Sequence, residues 1–140
     1  MTKQTQAEKA DELIEAFEMF DNWEDRYDYL IDLGKKLPPV KPDERIPENR
    51  VDGCQSNVWV VARKTDEQTV EFCADSDAMI TKGLVSLLWL IYSGERIDNI
   101  LSYDIEALFS KLGLDQRLSL TRKNGLSGMV KRVKSLAVQS

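Results

Sequence analysis

The sequence predicts a single α+β domain: a small antiparallel sheet of about three strands packed with several helices. Three observations carry that expectation. Apolar residues recur at three- and four-residue steps in the segments before residue 37 and after residue 78. β-Branched and aromatic residues concentrate between residues 49 and 74, and all four prolines fall between Pro38 and Pro47, separating the first helical region from the strands. At 140 residues the chain is near the commonest size for one domain, so one domain spanning residues 1–140 is expected.

Ala10, Leu13, Ile14, Phe17 and Phe20 place an apolar stripe on an otherwise acidic first helix. Asn22 is positioned to cap a second helix, with Asp25 in its first turn and Trp23, Tyr27, Leu30, Ile31 and Gly34 on one face. The prolines fix φ and remove amide protons, which reads as an extended connector. Asn49 to Asp52 starts a first short strand, Gly53-Cys54-Gln55-Ser56 interrupts it, and Val58 to Val61 forms a second. Thr65 to Gln68 makes a turn, and Thr69 to Ala74 returns as a third strand. Asp75 or Ser76 is expected to cap a central helix that is apolar nearly all round from Leu84 to Tyr92 and ends at Gly94. Ile105, Leu108, Phe109 and Leu112 give another helical face, with Gly113 at a left-handed C-cap. Leu126, Met129, Val130, Val133, Leu136 and Ala137 define the last helix.

Composition narrows the chemistry. The chain has no histidine, which excludes Ser-His-Asp and Cys-His hydrolases and histidine metal sites together. Its longest uncharged apolar stretch, Gly83 to Ser93, is about half of the ~20 residues a membrane-spanning helix needs. The first fifteen residues carry acids and lack the apolar core of a secretory signal. With only two cysteines, no disulfide framework is indicated, and the cytoplasm is the expected location. The net charge of −5 is unevenly spread. Arg117, Arg122, Lys123, Lys131, Arg132 and Lys134 make residues 117–140 purely basic, while the rest is acidic. These cations read as a solvated helix face rather than a nucleic-acid surface.

Cys54 stands in a Gly53-Cys54-Gln55-Ser56 break between strand-like segments, so its thiol is expected to project from a bend. A small buried hydrophobe is the alternative. Gly53 permits backbone geometry and close approach that a side chain would block. Cys73, between Phe72 and Ala74, reads as a core or sheet-face residue. The two cysteines match neither a Cys-x-x-Cys nor a zinc pattern, and a Cys54–Cys73 disulfide would require Cα atoms within about 7 Å. Asp75, Ser76 and Asp77 read as capping residues at a helix N-terminus, with orientation of the nearby loop or contact with a partner as the alternative for Asp77. If Thr121 caps the last helix, Arg122 and Lys123 oppose its dipole by roughly 0.3–1 kcal/mol each. Arg122 then finds compensation in a carboxylate, a partner's acidic surface or an anion at Cys54, or stays exposed. Lys123 reads as solvated.

The block Gly53-Cys54-Gln55-Ser56-Asn57-Val58-Trp59 resembles the signature of the SufE family, the sulfur-accepting partners of PLP-dependent cysteine desulfurases, which includes a CsdE branch. Asp75-Ser76-Asp77-Ala78 with Lys82-Gly83-Leu84, and Leu120-Thr121-Arg122-Lys123-Asn124-Gly125-Leu126, resemble further blocks of that family in the same order. Trp23 to Tyr27 and Leu33 to Pro38 are similar as well. The resemblance implies an IscU-like fold and Cys54 as sulfur acceptor at a loop tip, with Asp77 and Arg122 nearby. Gln55-Ser56 favours the SufE branch. The implied donor is a SufS-like cysteine desulfurase that keeps the PLP, and the implied downstream acceptor is a SufBCD-like scaffold. No cofactor or metal is expected on this chain. CsdE-type relay to another acceptor, and an interaction or RNA-binding module with a structural cysteine, are the other readings. A carrier is expected to shelter its persulfide among apolar residues, with Trp59 and the central helix as candidates, and to release it by an outward swing of the loop that Gly53 permits.

Overall fold

The structure, a computed structural model, describes residues 4–51 and 56–139. Helix α1 (Gln6–Glu18) begins at a capping box in which the Glu8 amide donates to Thr5 Oγ1 and the Thr5 amide donates to Glu8 Oε1, both at 3.1 Å. Its buried face is Ala10, Leu13 and Phe17. Helix α2 (Trp23–Gly34) is capped as expected by Asn22, whose Oδ1 accepts from the Asp25 amide at 2.8 Å.

The proline-rich connector is not simply extended. Pro42–Glu44 and Pro47–Asn49 each form a single 3₁₀ turn with proline at its start, where the ring's fixed φ suits the turn and the missing amide proton is not needed. Of the strand expected over 49–52, the described residues hold one isolated bridge, Arg50 opposite Trp59, and Asp52 lies outside the described residues.

The sheet is antiparallel, in the order β1-β2-β3, with β1 (Val58–Lys64), β2 (Thr69–Ser76) and β3 (Glu95–Arg96). The third strand therefore lies after the central helix, where two residues give no alternating pattern to read. Helix α3 (Met79–Tyr92) crosses one face, and Val60, Phe72 and Ala74 of the sheet meet its Val85, Leu88 and Trp89. Met129 and Val133 of α7 (Leu120–Gln139) close the same apolar layer.

β3 is too short to cover the outer edge of β2, and α3 completes the coverage. The Phe72 amide donates to Ser93 Oγ at 2.9 Å, and Trp89 Nε1 donates to the Phe72 carbonyl at 2.9 Å. An unpaired edge costs stability and invites association. Two side chains one helical turn apart prevent that here.

Gly83 fixes how α2 meets α3. A Cβ there would stand 2.5 Å from the Leu30 carbonyl oxygen, and one on Gly34 would stand 3.0 Å from the Gly83 amide nitrogen, so the two backbones touch at this crossing. Helices α4 (Ile97–Ser102), α5 (Ile105–Lys111) and α6 (Leu114–Arg117) complete the chain between sheet and α7. Gly94 and Gly113 have φ of 77° and 79°, as the stops read from the sequence require. Helix α7 starts earlier than expected: Ser119 Oγ, not Thr121, accepts from the Arg122 amide, at 3.2 Å. Among the described residues no helix is long and apolar enough to cross a membrane.

Candidate functional site

Gly53, Cys54 and Gln55, the centre of the predicted site, lie outside the described residues together with Asp52. The Val51 amide donates to the Val58 carbonyl at 2.8 Å, and Arg50 bridges to Trp59, so the chain is tied together immediately before and after residues 52–57. Ser56 and Asn57 are half-buried.

Asp77 holds the outgoing end. Its Oδ1 accepts from the Asn57 amide at 3.0 Å, its Oδ2 accepts from Asn57 Nδ2 at 2.8 Å, and its own amide donates to the Asn57 carbonyl at 3.2 Å. These contacts span the turn from β2 into α3 and fix it against the segment preceding β1. Asp77 thus binds Asn57, the residue before β1, with both carboxylate oxygens. It does not cap α3, whose N-cap, Ala78, makes no side-chain cap.

Asp75 does not cap α3 either, because β2 continues through Ser76 and places Asp75 opposite Trp59 in the register. Its Oδ1 accepts from Lys82 Nζ at 3.1 Å and from the Ser76 amide at 2.8 Å, and its Oδ2 pairs with the Arg45 guanidinium. Burial works against the charged carboxylate, but the Lys82 hydrogen bond, the Ser76 amide, the Lys82 charge and the Arg45 hydrogen bond outweigh it and hold Asp75 below the ordinary 3.8. Arg45 also lies over the Trp59 ring, 4.9 Å from its centroid, which adds a cation–π contact. Arg45, Asp75, Lys82 and Trp59 therefore form one frame under the loop's outgoing strand.

Trp59 and the central helix do not share a shelter. Side chains alternate along β1. Val58 and Val60 are buried, and Val60 faces α3, so Trp59 points to the opposite face under Arg45. Arg122 is exposed near the start of α7 and forms no salt bridge with another described residue. It is not joined to Asn57, Asp77 or Trp59 by any hydrogen bond among the described residues. Cys73 is a free, half-buried thiol, so the disulfide reading does not match this structure.

The frame contains residues that the sequence does not single out. Lys82 stands out there only as part of a block, and Asn57 only as part of the cysteine signature. Arg45 lies in the proline-rich connector, 30 positions from its carboxylate partner, where no local pattern marks it.

Known proteins place this geometry in context. A family model described as "SufE: Fe-S metabolism associated domain" matches residues 11–137. An uncharacterized SufE-like protein of Rhizobium etli is 44% identical over 130 residues, covering 91% of this chain and 88% of that protein. One of Rhizobium meliloti is 43% identical over 130 residues, covering 91% and 93%. In fold, the chain is similar to the solution structure of a hypothetical protein from Thermus thermophilus, with TM-score 0.75, 22% identity and 94% of each chain covered.

Proposed function

This chain belongs to the SufE family, and on that premise we propose that Cys54 accepts sulfur from a PLP-dependent cysteine desulfurase and passes it to a downstream acceptor in iron–sulfur cluster assembly. The observation that carries this reading is the frame around residues 52–57. Val51–Val58 and Asn57–Asp77 fix the points between which the family's cysteine block runs.

The chemistry is thiol exchange. The Cys54 thiolate attacks the outer sulfur of a persulfide on the desulfurase, a new S–S bond forms at Cys54, and the donor's S–S bond breaks. The electron pair leaves on the donor cysteine as a thiolate, and Cys54 becomes the persulfide. No external oxidant is required. A thiol of pKa about 8.5 is already a few per cent ionised at neutral pH, so the step proceeds in a chain without histidine. In this reading Gly53, Gln55 and Ser56 support Cys54, Asp77 holds Asn57 beside the cysteine block, and Arg122 steadies the sulfur anion.

Incubation with a cysteine desulfurase and cysteine, followed by peptide mass analysis, is expected to add one sulfur atom to the Cys54 peptide. Cys54→Ser is expected to remove both the adduct and any stimulation of the desulfurase. A sulfur adduct confined to Cys73, or stimulation that survives Cys54→Ser, overturns the assignment. Arg122→Ala that folds and transfers sulfur at the native rate removes Arg122 from the mechanism.

A further inference from the structure

We infer, on the premise that Cys54 is the sulfur acceptor, that Arg132 of α7 is a positioning residue for sulfur transfer. It fixes the connector of residues 41–50, and with it the point at which the chain enters the Cys54 segment. Asp77 acts on the outgoing side of that segment, and Arg132 on the incoming side.

The connector has no apolar hold of its own. It runs between two buried residues, Val40 and Val51, yet every residue from 41 to 50 is exposed or half-buried, and neither of its 3₁₀ turns buries a side chain. Its position therefore depends on polar contacts. Glu44 pairs with Arg63 of β1 at 3.1 Å, and Arg45 pairs with Asp75 of β2, which holds the end of the first turn to the sheet. Asn49 Nδ2 donates to the Glu44 carbonyl at 2.8 Å and ties the second turn to the first. Arg132 reaches the second turn itself. Its guanidinium donates to the Glu48 carbonyl, 84 positions away in sequence. Two residues after Glu48, Arg50 bridges to Trp59, and the Val51 amide then donates to the Val58 carbonyl at 2.8 Å. Arg132 thus acts immediately upstream of the tie from which the cysteine block departs.

The tether is anchored in the core at its other end. Met129, Val130 and Val133 of α7 are buried, so the helix that carries Arg132 is fixed independently of the connector. Arg132 Nε is buried and has no hydrogen-bond partner among the described residues. An unpaired buried N–H is unfavourable and offsets part of what the Glu48 contact contributes. Glu48 is exposed, so water can replace the guanidinium at its carbonyl. The contact therefore adds little to folding, and its consequence is where the connector lies. Geometry at a reacting group matters steeply: a misplacement of about 1 Å by a remote change can cost about a hundredfold in rate.

The test follows sulfur loading of Cys54 by a cysteine desulfurase and cysteine as the concentration of this chain is raised. The native chain is compared with Arg132→Met, which keeps an apolar stem and removes the donor. The maximal rate is expected to fall about tenfold, with the half-saturating concentration within about twofold of native and the urea midpoint nearly unchanged. Exchange of the Arg50 and Val51 amides should accelerate while the α3 amides keep their protection. Arg132→Lys, which keeps a charged donor, is expected to recover part of the lost rate. Asn49→Ala frees the second turn from the first, should also lower the maximal rate, and provides the check should Arg132→Met fail to fold. The proposal is overturned if Arg132→Met loads sulfur at the native rate, if it raises only the half-saturating concentration as a docking contact would, if Arg132→Lys is no better than Arg132→Met, if Asn49→Ala leaves the maximal rate unchanged, or if exchange at Arg50 and Val51 does not change. A native chain that takes no sulfur on Cys54 removes the premise itself. A native chain that loads normally beside an equally active Arg132→Met removes the role of Arg132 alone.

Discussion

At the residue scale, two aspartates two positions apart do different work. Asp75 is a charged group held by Lys82 and Arg45, and its depressed pKa links stability to pH. A carboxylate whose folded pKa lies below its unfolded value contributes stability above the unfolded value and loses it as pH falls through the folded one. Asp75→Asn should therefore be less stable than the native chain near pH 7, by about 1–3 kcal/mol for two charged donors left with a neutral partner. The gap should narrow below about pH 3.8 as the native carboxyl protonates. Urea unfolding across that range measures it, and a gap independent of pH would contradict the account. Asp77, in contrast, acts through geometry. Asp77→Ala removes both acceptors from Asn57, so amide exchange at Asn57 should accelerate and sulfur loading of Cys54 should fall, while α3 amides keep their protection. Unchanged exchange at Asn57 would refute the clamp. The cysteine block announces itself in the sequence through its break between strand-like runs. The frame beneath it does not. Capping is the local explanation for Asp75, and only the register of β1 on β2 reveals that it faces Trp59 and reaches Arg45 instead.

At the scale of elements, periodicity reveals the helices that bury a face and misses the pieces too short to show one. Asn22, Gly94 and Gly113 mark real boundaries because each rests on a local backbone requirement. β3, with two residues, and α6, with four, owe their conformation to neighbours: the Gly94 amide donates to the Val70 carbonyl at 2.8 Å, and Trp23 packs against Gly113 and Arg117. Of the strand expected over residues 49–52, the described part shows only the Arg50–Trp59 bridge and the Val51–Val58 hydrogen bond, too little pairing for a periodic pattern. Gly83 shows an element-level constraint with a sharp consequence. Gly83→Ala puts a methyl group 2.5 Å from the Leu30 carbonyl, so α2 and α3 must separate. We expect a loss of about 1–3 kcal/mol, despite alanine's better helix propensity, because overpacking at a backbone contact outweighs the ~1 kcal/mol that propensity returns. A stability gain on chemical denaturation would show that the crossing is looser than described.

At the scale of the whole molecule, the core meets the proposed site at the Val51–Val58 and Asn57–Asp77 contacts. Leu84, Leu87, Ile91 and Tyr92 of α3 are essentially inaccessible, and the sheet edge is closed by Trp89 and Ser93. Residues 52–57, in contrast, are tied at their ends by the Val51–Val58 hydrogen bond and the Asn57–Asp77 contacts. In the proposed reading the segment presents its cargo without unfolding the core, although the Val51–Val58 bond itself joins two buried residues. The Val51 amide is the natural reporter of that division. In the free protein it should exchange by local opening, with a smaller denaturant dependence than the amides of α3. On addition of the desulfurase its exchange should accelerate as the segment turns outward, while the α3 amides stay unchanged. If Val51 instead exchanges only with global unfolding and the desulfurase leaves it untouched, delivery by a moving loop is wrong, and transfer would have to occur with the Val51–Val58 tie intact.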